Sequence, residues 1–299
     1  MALPYEDSCK IIPFFKKEIG VPLIGDIHFN HKIALKAMES GIDAIRINPG
    51  TINNVSKVKE IGNIARETKT PLRIGFNVGS VEKKILKKYG KPNADAMVES
   101  ALYYVKLFED IGWTELKVSL KASDIFQTVE AYKKFSDRSD YPLHSGITEA
   151  GPVFSGVIKS SIGIGILLYE GIGDTIRVSL TGNPVLEVVA AYHILRSMGL
   201  RKRGINIISC PTCGRCKTNL MEIVEDFEKE TGHFEGHLNV AIMGCEVNGP
   251  GEAKEADIGI AFGASKAVLF SKGVVIRNNI PKEIAKDLLK EEIYNISTT

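Results

Sequence analysis

Four of the five cysteines lie in the last third of the chain, with a spacing that is typical of a metal site. Cys210, Cys213 and Cys216 occur in the segment NIISCPTCGRCK, and Cys245 follows in MGCEVNGPGEA. A C-x₂-C turn lets two thiolates reach one metal centre from a single loop, and the proline and glycine in this segment favour such a turn. Zinc and iron–sulfur centres both accept this ligand set.

The fourth ligand of such a centre has two candidates. The C-x₂-C-x₂-C spacing resembles that of bacterial ferredoxins and favours Cys216, giving a four-thiolate cluster that passes electrons but does not easily bind substrate. Glu252, in the glycine-rich loop after Cys245, is the other candidate. A carboxylate is a harder and more labile ligand to iron than a thiolate, so iron held by Glu252 would be able to exchange it for a substrate oxygen.

Polar side chains recur near the carboxyl ends of five predicted strands, where barrel enzymes carry their catalytic groups. The pairs are Asp26 and His28, Arg46 and Asn48, Arg73 and Asn77, Lys117 and Ser119, and Arg177 and Ser179. The members of each pair share one face of their strand. Four converging cations predict a multiply charged anion such as phosphate or diphosphate. The structural alternative pairs each cation with an internal carboxylate such as Asp26 or Glu149.

Strand and helix patterns alternate through the first two-thirds of the chain, which predicts parallel pairing. Predicted strands cover residues 21–27, 44–48, 72–77, 115–120, 143–148 and 175–180; predicted helices cover 32–39, 55–68, 95–110, 124–135, 153–169 and 185–198. Gly41, Gly112 and Gly199 stand where C-cap glycines are expected. The pattern favours an α/β fold, a (β/α)₈ TIM-type barrel missing its first βα unit, over a doubly wound open sheet.

The pattern changes near residues 201–204, and the following segments predict a smaller α+β domain that carries the cysteines. Its predicted strands are 205–209, 237–243, 257–261, 267–270 and 274–277, and its predicted helices are 218–230 and 281–294. The predicted domains are therefore a substrate-binding barrel, residues 1–202, and a metal-binding domain, residues 203–299.

Bulk properties exclude several classes of partner. The chain carries 38 Lys and Arg against 36 Asp and Glu, and a net charge of +2 gives no electrostatic case for nucleic acid. Its longest apolar stretch, near residues 162–168, is too short to cross a bilayer. The amino-terminal segment has no basic region and no cleavage pattern of a signal peptide. We therefore expect a cytoplasmic protein with no nucleic-acid or membrane partner.

These segments together resemble the 4-hydroxy-3-methylbut-2-enyl diphosphate synthase family, of the methylerythritol phosphate route to isoprenoids. The matching segments are GDIHFNHKIALKAMESGIDAIRINPGTI, PLRIGFNVGS, ELKVSLKAS, GITEAG, IRVSLTG, ISCPTCGR and MGCEVNGPGEA. The resemblance implies a barrel followed by a [4Fe–4S] domain. The implied reaction is reductive ring opening and dehydroxylation of 2-C-methyl-D-erythritol 2,4-cyclodiphosphate, with ferredoxin or flavodoxin as electron donor. A head-to-tail homodimer is also implied.

The resemblance also assigns roles to individual residues. The implied cluster ligands are Cys210, Cys213, Cys245 and Glu252, with Glu252 in the fourth position in place of Cys216. The implied substrate contacts are Asp26, Arg46, Asn48, Arg73, Asn77, Lys117, Arg177, Ser179 and Asn248, of which Asn248 lies beside the cluster. Glu149 matches a carboxylate suited to protonating the departing hydroxyl.

The sequence departs from the family in two places. The family's chain begins earlier, so residues 1–4 align with the end of its second barrel strand, and we expect a barrel with two open edges to be poorly soluble or inactive. Cys216 is the second departure and is expected to be a free thiol near the cluster.

Two other functions are consistent with the residues alone. One is a non-catalytic zinc or iron–sulfur module on a degenerate phosphate-binding barrel. The other is an aldolase- or isomerase-like barrel enzyme with a structural metal domain, for which Lys117 is the only candidate base.

Overall fold

The structure, a computed structural model, describes residues 1–245 and 253–297. The chain divides into two compact units, Met1–Ile194 and Leu195–Thr299. The domain boundary expected between residues 202 and 203 stays a prediction. Within the described ranges, no helix combines the length and apolarity needed to span a membrane.

The first unit is built on parallel strands that pair in chain order. The strands β1 (Ile24–Ile27), β2 (Ala44–Ile47), β3 (Leu72–Asn77) and β4 (Leu116–Lys121) form one sheet. β5 (His144–Ser145) pairs with β6 (Thr175–Ile176), and a bridge between Val118 and Leu143 joins β4 to β5. Sequential parallel neighbours are the arrangement of a TIM-type barrel, so the predicted α/β class is confirmed.

One α-helix precedes the first strand of this unit, at least one α-helix follows each strand, and these helices cover the outer face of the sheet. They are α1 (Ile12–Glu18), α2 (His31–Glu39), α3 (Pro49–Ile52), α4 (Val55–Thr68), α5 (Lys83–Tyr89), α6 (Ala94–Asp110), α7 (Ile125–Ser136), α8 (Val153–Tyr169) and α9 (Pro184–Ser197). Asn30, Asn54 and Asp124 accept hydrogen bonds from backbone N–H groups in the first turns of α2, α4 and α7. The three predicted C-cap glycines have left-handed φ values of 69–79°, which confirms their role.

The core of the first unit lies between the sheet and the helices. Ile45, Ile47, Ile74, Phe76 and Val118 alternate along β2, β3 and β4 and are fully buried against apolar helix faces. Because side chains alternate along a strand, the intervening residues point to the opposite face, towards the barrel interior. The polar residues singled out on β1 to β4, Asp26, Arg46, Arg73, Asn77, Lys117 and Ser119, occupy this interior face.

β5 and β6 are shorter than predicted because the backbone of the second strand leaves the ladder early. The N–H of Arg177 still donates to the carbonyl of Ser145, at 2.9 Å. The N–H of Leu180 donates to the Glu187 carboxylate at 2.8 Å, and that of Thr181 to the carbonyl of Gly151 at 2.9 Å. The backbone N–H groups of Leu180 and Thr181 thus bond to a helix side chain and to a loop, so they do not extend the pairing of β5 with β6.

The second unit is a mixed five-stranded sheet with order β11-β10-β9-β8-β7. Its strands are β7 (Gly204–Ser209), β8 (His237–Met243), β9 (Ile258–Phe262), β10 (Lys266–Ser271) and β11 (Val274–Pro281), with α10 (Leu220–Thr231) and α11 (Lys282–Ser297). β7, β8 and β9 are parallel, and β10 and β11 add antiparallel strands. Phe227 of α10 and Leu289 of α11 are fully buried against this sheet, so the predicted α+β domain is confirmed.

Candidate active site

A row of charged side chains crosses the interior face of the first sheet. Strand pairing places Asp26 beside Arg46, Arg46 beside Arg73, and Arg73 beside Lys117. Residues paired across parallel strands point to the same side of the sheet. The fold therefore gathers these side chains on one face of β1 to β4, although they are far apart in the sequence.

A cavity of about 310 Å³ opens at the carboxyl ends of these strands. Its lining residues are Asp26, His28, Arg46, Arg73, Asn77, Ser119, Lys121, Thr148, Glu149, Arg177 and Ser179. Four of these are Lys or Arg and two are carboxylates, so the cavity is complementary to an anion. Of the residues singled out as substrate contacts, Asn48 and Lys117 do not line it, and Asn248 lies outside the described residues.

Asp26 and Arg46 form an ion pair at the floor of the cavity. Arg46 Nη1 donates to Asp26 Oδ1 at 2.9 Å and lies 3.1 Å from His28 Nε2. Burial favours a higher pKa for Asp26, but the Arg46 guanidinium outweighs it and holds the pKa below its usual range. The structural alternative, a cation paired with an internal carboxylate, therefore holds for Arg46.

Asp26→Asn is expected to lower the free energy of unfolding at pH 7 by about 1–3 kcal/mol, because it removes the carboxylate that compensates the clustered cations. The folded-state pKa is depressed, so this contribution is present above the unfolded pKa of about 4 and is lost as pH falls through the folded value. Urea titrations at pH 7 and pH 3.5 measure the difference between the two proteins. Glu149→Gln, at an exposed position, is the control and should change stability by less than about 0.5 kcal/mol. Equal losses for the two variants would contradict the role of Asp26.

Arg73 and Arg177 differ from Arg46, because no carboxylate in residues 1–245 and 253–297 lies within ion-pair distance of either guanidinium. Arg73 Nε is buried with no hydrogen-bond partner in the same ranges. Burial and the nearby Arg46 cation lower the pKa of Arg73 to about 10, which leaves it charged at neutral pH. Two permanent cations that face the cavity with no ion-pair partner among the described residues indicate an anion-binding site.

Lys121 is a cavity residue that the sequence reasoning missed. It ends β4, pairs with Asn77 in the ladder and is only 9% exposed. Burial, reinforced by Arg73 and Arg177, lowers its pKa to about 7. Lys117 lies four residues earlier on the same face, in the row of Arg46 and Arg73, and is half-buried. The period of two that selected Lys117 and Ser119 continues to Lys121 and is the signal that would have found it.

Glu149 lies in the loop after β5 and lines the cavity as an exposed carboxylate. Its backbone φ is +53°, a left-handed conformation that is uncommon for a residue other than glycine. Among the described residues it has no ion-pair partner. A strained position at a cavity mouth is a common feature of functional residues, because strain persists only where the surroundings enforce it.

Asn48 has a structural position beside the cavity. Its Oδ1 accepts from the N–H of Gly50 at 3.1 Å, and its Nδ2 donates to Ser80 Oγ at 2.9 Å. A Cβ atom at Gly50 would lie 1.8 Å from the carbonyl oxygen of Ser80, so only glycine fits there. Asn48 thus joins the loop after β2 to the loop after β3, and in this structure both ends of its amide are occupied.

The cysteines of the second unit follow the ends of two neighbouring parallel strands. Cys210 follows β7 and Cys245 lies just after β8. The N–H of Gly244 points to Cys210 Sγ, with 3.3 Å between nitrogen and sulfur. The pKa of exposed Cys213 is lowered, chiefly by a hydrogen bond from the backbone of Arg215. Cys216 is bonded differently, since its Sγ donates to the carbonyl of Thr218 at 3.2 Å.

The donor chemistry of this edge suits an iron–sulfur centre. Backbone N–H groups that face Cys210 and Cys213 stabilise thiolate ligands, as hydrogen bonds to sulfur do in such clusters. Within residues 1–245 and 253–297, no three His, Cys, Asp or Glu side chains converge on a metal position. Glu252, the predicted fourth ligand, lies outside the described residues.

Comparison with known protein families gives two matches. The family described as GcpE TIM-barrel domain matches residues 1–192. The family described as GcpE protein C-terminal domain matches residues 206–295. Together these ranges cover both structural units.

Three similar relatives are each named 4-hydroxy-3-methylbut-2-en-1-yl diphosphate synthase (flavodoxin). The relative from Geobacter sulfurreducens is 52% identical over 295 residues, which are 99% of this chain and 83% of the relative. That from Thermodesulfovibrio yellowstonii is 51% identical over 291 residues, covering 97% and 83%. That from Clostridium tetani is 48% identical over 295 residues, covering 99% and 84%.

Proposed function

The chain belongs to the 4-hydroxy-3-methylbut-2-en-1-yl diphosphate synthase family, and from that premise we propose that its barrel cavity binds the diphosphate of 2-C-methyl-D-erythritol 2,4-cyclodiphosphate. The observation that carries this proposal is the convergence of Arg46, Arg73, Lys121 and Arg177 on one cavity of about 310 Å³. A guanidinium group can donate two parallel hydrogen bonds to two oxygens of one phosphate, and a lysine ammonium group adds a point charge. A cyclic diphosphate needs both charge and orientation, which such a cluster supplies.

The uncharged lining residues complete the proposed substrate contacts. Asn77, Ser119 and Ser179 present amide and hydroxyl groups on the same walls, where they would bond phosphate or sugar oxygens. Asp26 holds Arg46 in place through the 2.9 Å ion pair. Asn48, which joins the loops after β2 and β3, and Lys117, which lies beside Arg73, are proposed to support these contacts from outside the cavity lining. Clamping both phosphates fixes the carbon–oxygen bond that must break, which lowers the entropic part of the barrier.

For the second unit we propose a [4Fe–4S] cluster held by Cys210, Cys213, Cys245 and Glu252, with Asn248 beside it. Bound there, the cluster would supply electrons and a Lewis-acidic iron. Ring opening with loss of one hydroxyl consumes two electrons and two protons and releases one water. Glu149, an exposed carboxylate at the cavity, is the proposed donor of the proton that leaves with the hydroxyl.

The remaining parts of the proposal concern partners and location. The relatives' names support flavodoxin as the electron donor, and ferredoxin is the alternative. A cytoplasmic location suits both carriers. A homodimer stays a prediction, and sedimentation velocity on the anaerobically prepared protein tests it directly.

The proposed function is tested by anaerobic reconstitution with iron and sulfide, followed by turnover of the cyclodiphosphate with dithionite or reduced flavodoxin. We expect about four irons and four sulfides per chain, a brown protein, and 4-hydroxy-3-methylbut-2-enyl diphosphate as the product seen by ³¹P NMR. Colourless protein that holds zinc and gives no product would contradict the proposal and favour the non-catalytic module.

Binding of inorganic pyrophosphate at pH 8 is expected to take up about 0.9 proton at Lys121. With a pKa of about 7, the free lysine is mostly neutral at pH 8, and a bound polyanion restores its charge. Titration calorimetry in two buffers of different ionisation enthalpy measures the uptake. Lys121→Arg is the matched control, because a guanidinium group is already charged before pyrophosphate binds. Proton uptake on binding to this variant should be smaller than that of the wild-type protein by the proton that Lys121 takes up. Equal uptake by both proteins would show that Lys121 is charged in the empty cavity.

A further inference from the structure

His144 is a buried histidine whose ring has one nitrogen without a partner. It lies on β5 beside Thr175 of β6 and is 8% exposed. Its Nδ1 lies 2.9 Å from Thr175 Oγ1. Its Nε2 is buried and bonds to no atom in the described part of the chain. An unpaired buried polar atom is costly, so this nitrogen needs a function or a partner.

Burial and nearby cations both act on the pKa of this ring. Burial, together with Lys121, Arg73, Lys117 and Arg177, holds the pKa of His144 far below its usual range, so the imidazole is neutral. A neutral imidazole carries one proton. When Nδ1 donates to Thr175 Oγ1, Nε2 keeps its lone pair. A lone pair directed at cations is electrostatically favoured over an N–H group directed at them, which selects this tautomer.

The cation most closely associated with His144 is Lys121. A Cβ atom at Gly146 would lie 3.0 Å from Lys121 Nζ. Gly146 directly follows β5 and is two residues from His144, a distance of about 7 Å in extended backbone. No hydrogen bond or ion pair joins Lys121 to another described residue. Among the described residues, the barrel interior therefore holds an unpaired acceptor, His144 Nε2, close to an unpaired donor, Lys121 Nζ.

Building on the proposed diphosphate site, we propose that His144 is a positioning residue. When diphosphate binds, its Nε2 lone pair accepts a hydrogen bond from the Lys121 ammonium group, a bond not made among the described residues of this structure, and so aims that group at the diphosphate. The role requires the Nδ1–H tautomer, which Thr175 fixes. It is distinct from substrate contact, because His144 does not line the cavity.

Calorimetric binding of inorganic pyrophosphate tests the acceptor. His144→Phe, which removes the lone pair, should weaken binding about tenfold or more, whereas His144→Gln, which retains a neutral acceptor, should recover most of the affinity. His31→Phe is the matched control, because His31 pairs with Glu60 at 3.3 Å and does not line the cavity. Its affinity should equal that of the wild-type protein.

A second pair of variants keeps the ring and changes only its tautomer. Thr175→Val should allow the proton to move to Nε2 and should therefore weaken pyrophosphate binding. Thr175→Ser should keep the Nδ1–H tautomer and the wild-type affinity. ¹⁵N NMR of labelled histidine distinguishes the tautomers, and we expect wild-type His144 to remain Nδ1–H from pH 6 to 9. A protonated Nε2 in the wild-type protein, or unchanged affinity in both His144→Phe and Thr175→Val, would overturn the role of His144 alone. Failure of the wild-type protein to bind pyrophosphate would overturn the diphosphate site and this role with it.

Discussion

Cys245→Ser protein, reconstituted anaerobically, is expected to lose its cluster and at least about 10³-fold of its turnover with dithionite. Cys245 is buried and lies at the end of β8, beside the strand that precedes Cys210. Serine is a much poorer ligand for iron than a thiolate. If the proposed cluster supplies the electrons for catalysis, loss of one of its ligands should abolish the reaction and leave the barrel intact. Iron and sulfide content and the visible spectrum measure the effect.

Cys216→Ser is the matched control for this prediction, because the same substitution is made in the same cysteine segment. Cys216 Sγ donates to the carbonyl of Thr218 at 3.2 Å, a bond that a serine hydroxyl can also make. We therefore expect Cys216→Ser to keep its iron and most of its turnover. If Cys216→Ser lost the cluster and Cys245→Ser kept it, the ligand set with Glu252 in the fourth position would be wrong.

Glu149→Gln is expected to lower turnover of the cyclodiphosphate by about 10²–10⁴-fold, the usual range for loss of a general acid. Glutamine keeps the size of the side chain but has no proton to give to the departing hydroxyl. Glu149 is exposed, and no described residue pairs with it, so its replacement should leave the fold unchanged. The measurement is single-turnover product formation by the reconstituted protein.

Binding separates this role from a simple substrate contact. Glu149→Gln removes a negative charge from a cavity with an excess of cations, so pyrophosphate should bind at least as tightly as to the wild-type protein. A variant that turns over at the wild-type rate would remove Glu149 from the mechanism. A variant that loses affinity and turnover in equal measure would make it a binding residue instead.

Much of the fold follows from local sequence. Apolar residues alternate at a period of two in Leu72–Asn77 and recur at the helical period in Ala94–Asp110. Capping residues such as Asn93 and glycines such as Gly112 mark where the helices begin and end. These signals are local, because they depend on backbone geometry and on hydrogen bonds within a few residues. They placed the longer helices and strands, but they missed the short helices α1, α3 and α5 and were wrong about the lengths of β5 and β6.

The charged interior was also visible in the sequence, because an Arg or Lys within an apolar strand is costly to bury without a counter-ion or a bound anion. The sequence could not show which of these cations line the cavity or which carboxylate pairs with each of them. Only the tertiary structure showed that Lys121 lines the cavity and that Lys117, in the row of Arg46 and Arg73, does not. Only the pairing of β1 with β2 gave Arg46 its partner Asp26.

The sequence by itself determined which residue types face the barrel interior and which cysteines stand close together along the chain. The tertiary structure decided which cations share one cavity, that Asn48 binds a neighbouring loop, and that His144 is buried as a neutral ring close to the cations. The physical reason is that burial and electrostatic coupling depend on distances between strands, and those distances are fixed by register and barrel curvature. Neither quantity is encoded in the spacing of residues along a single strand.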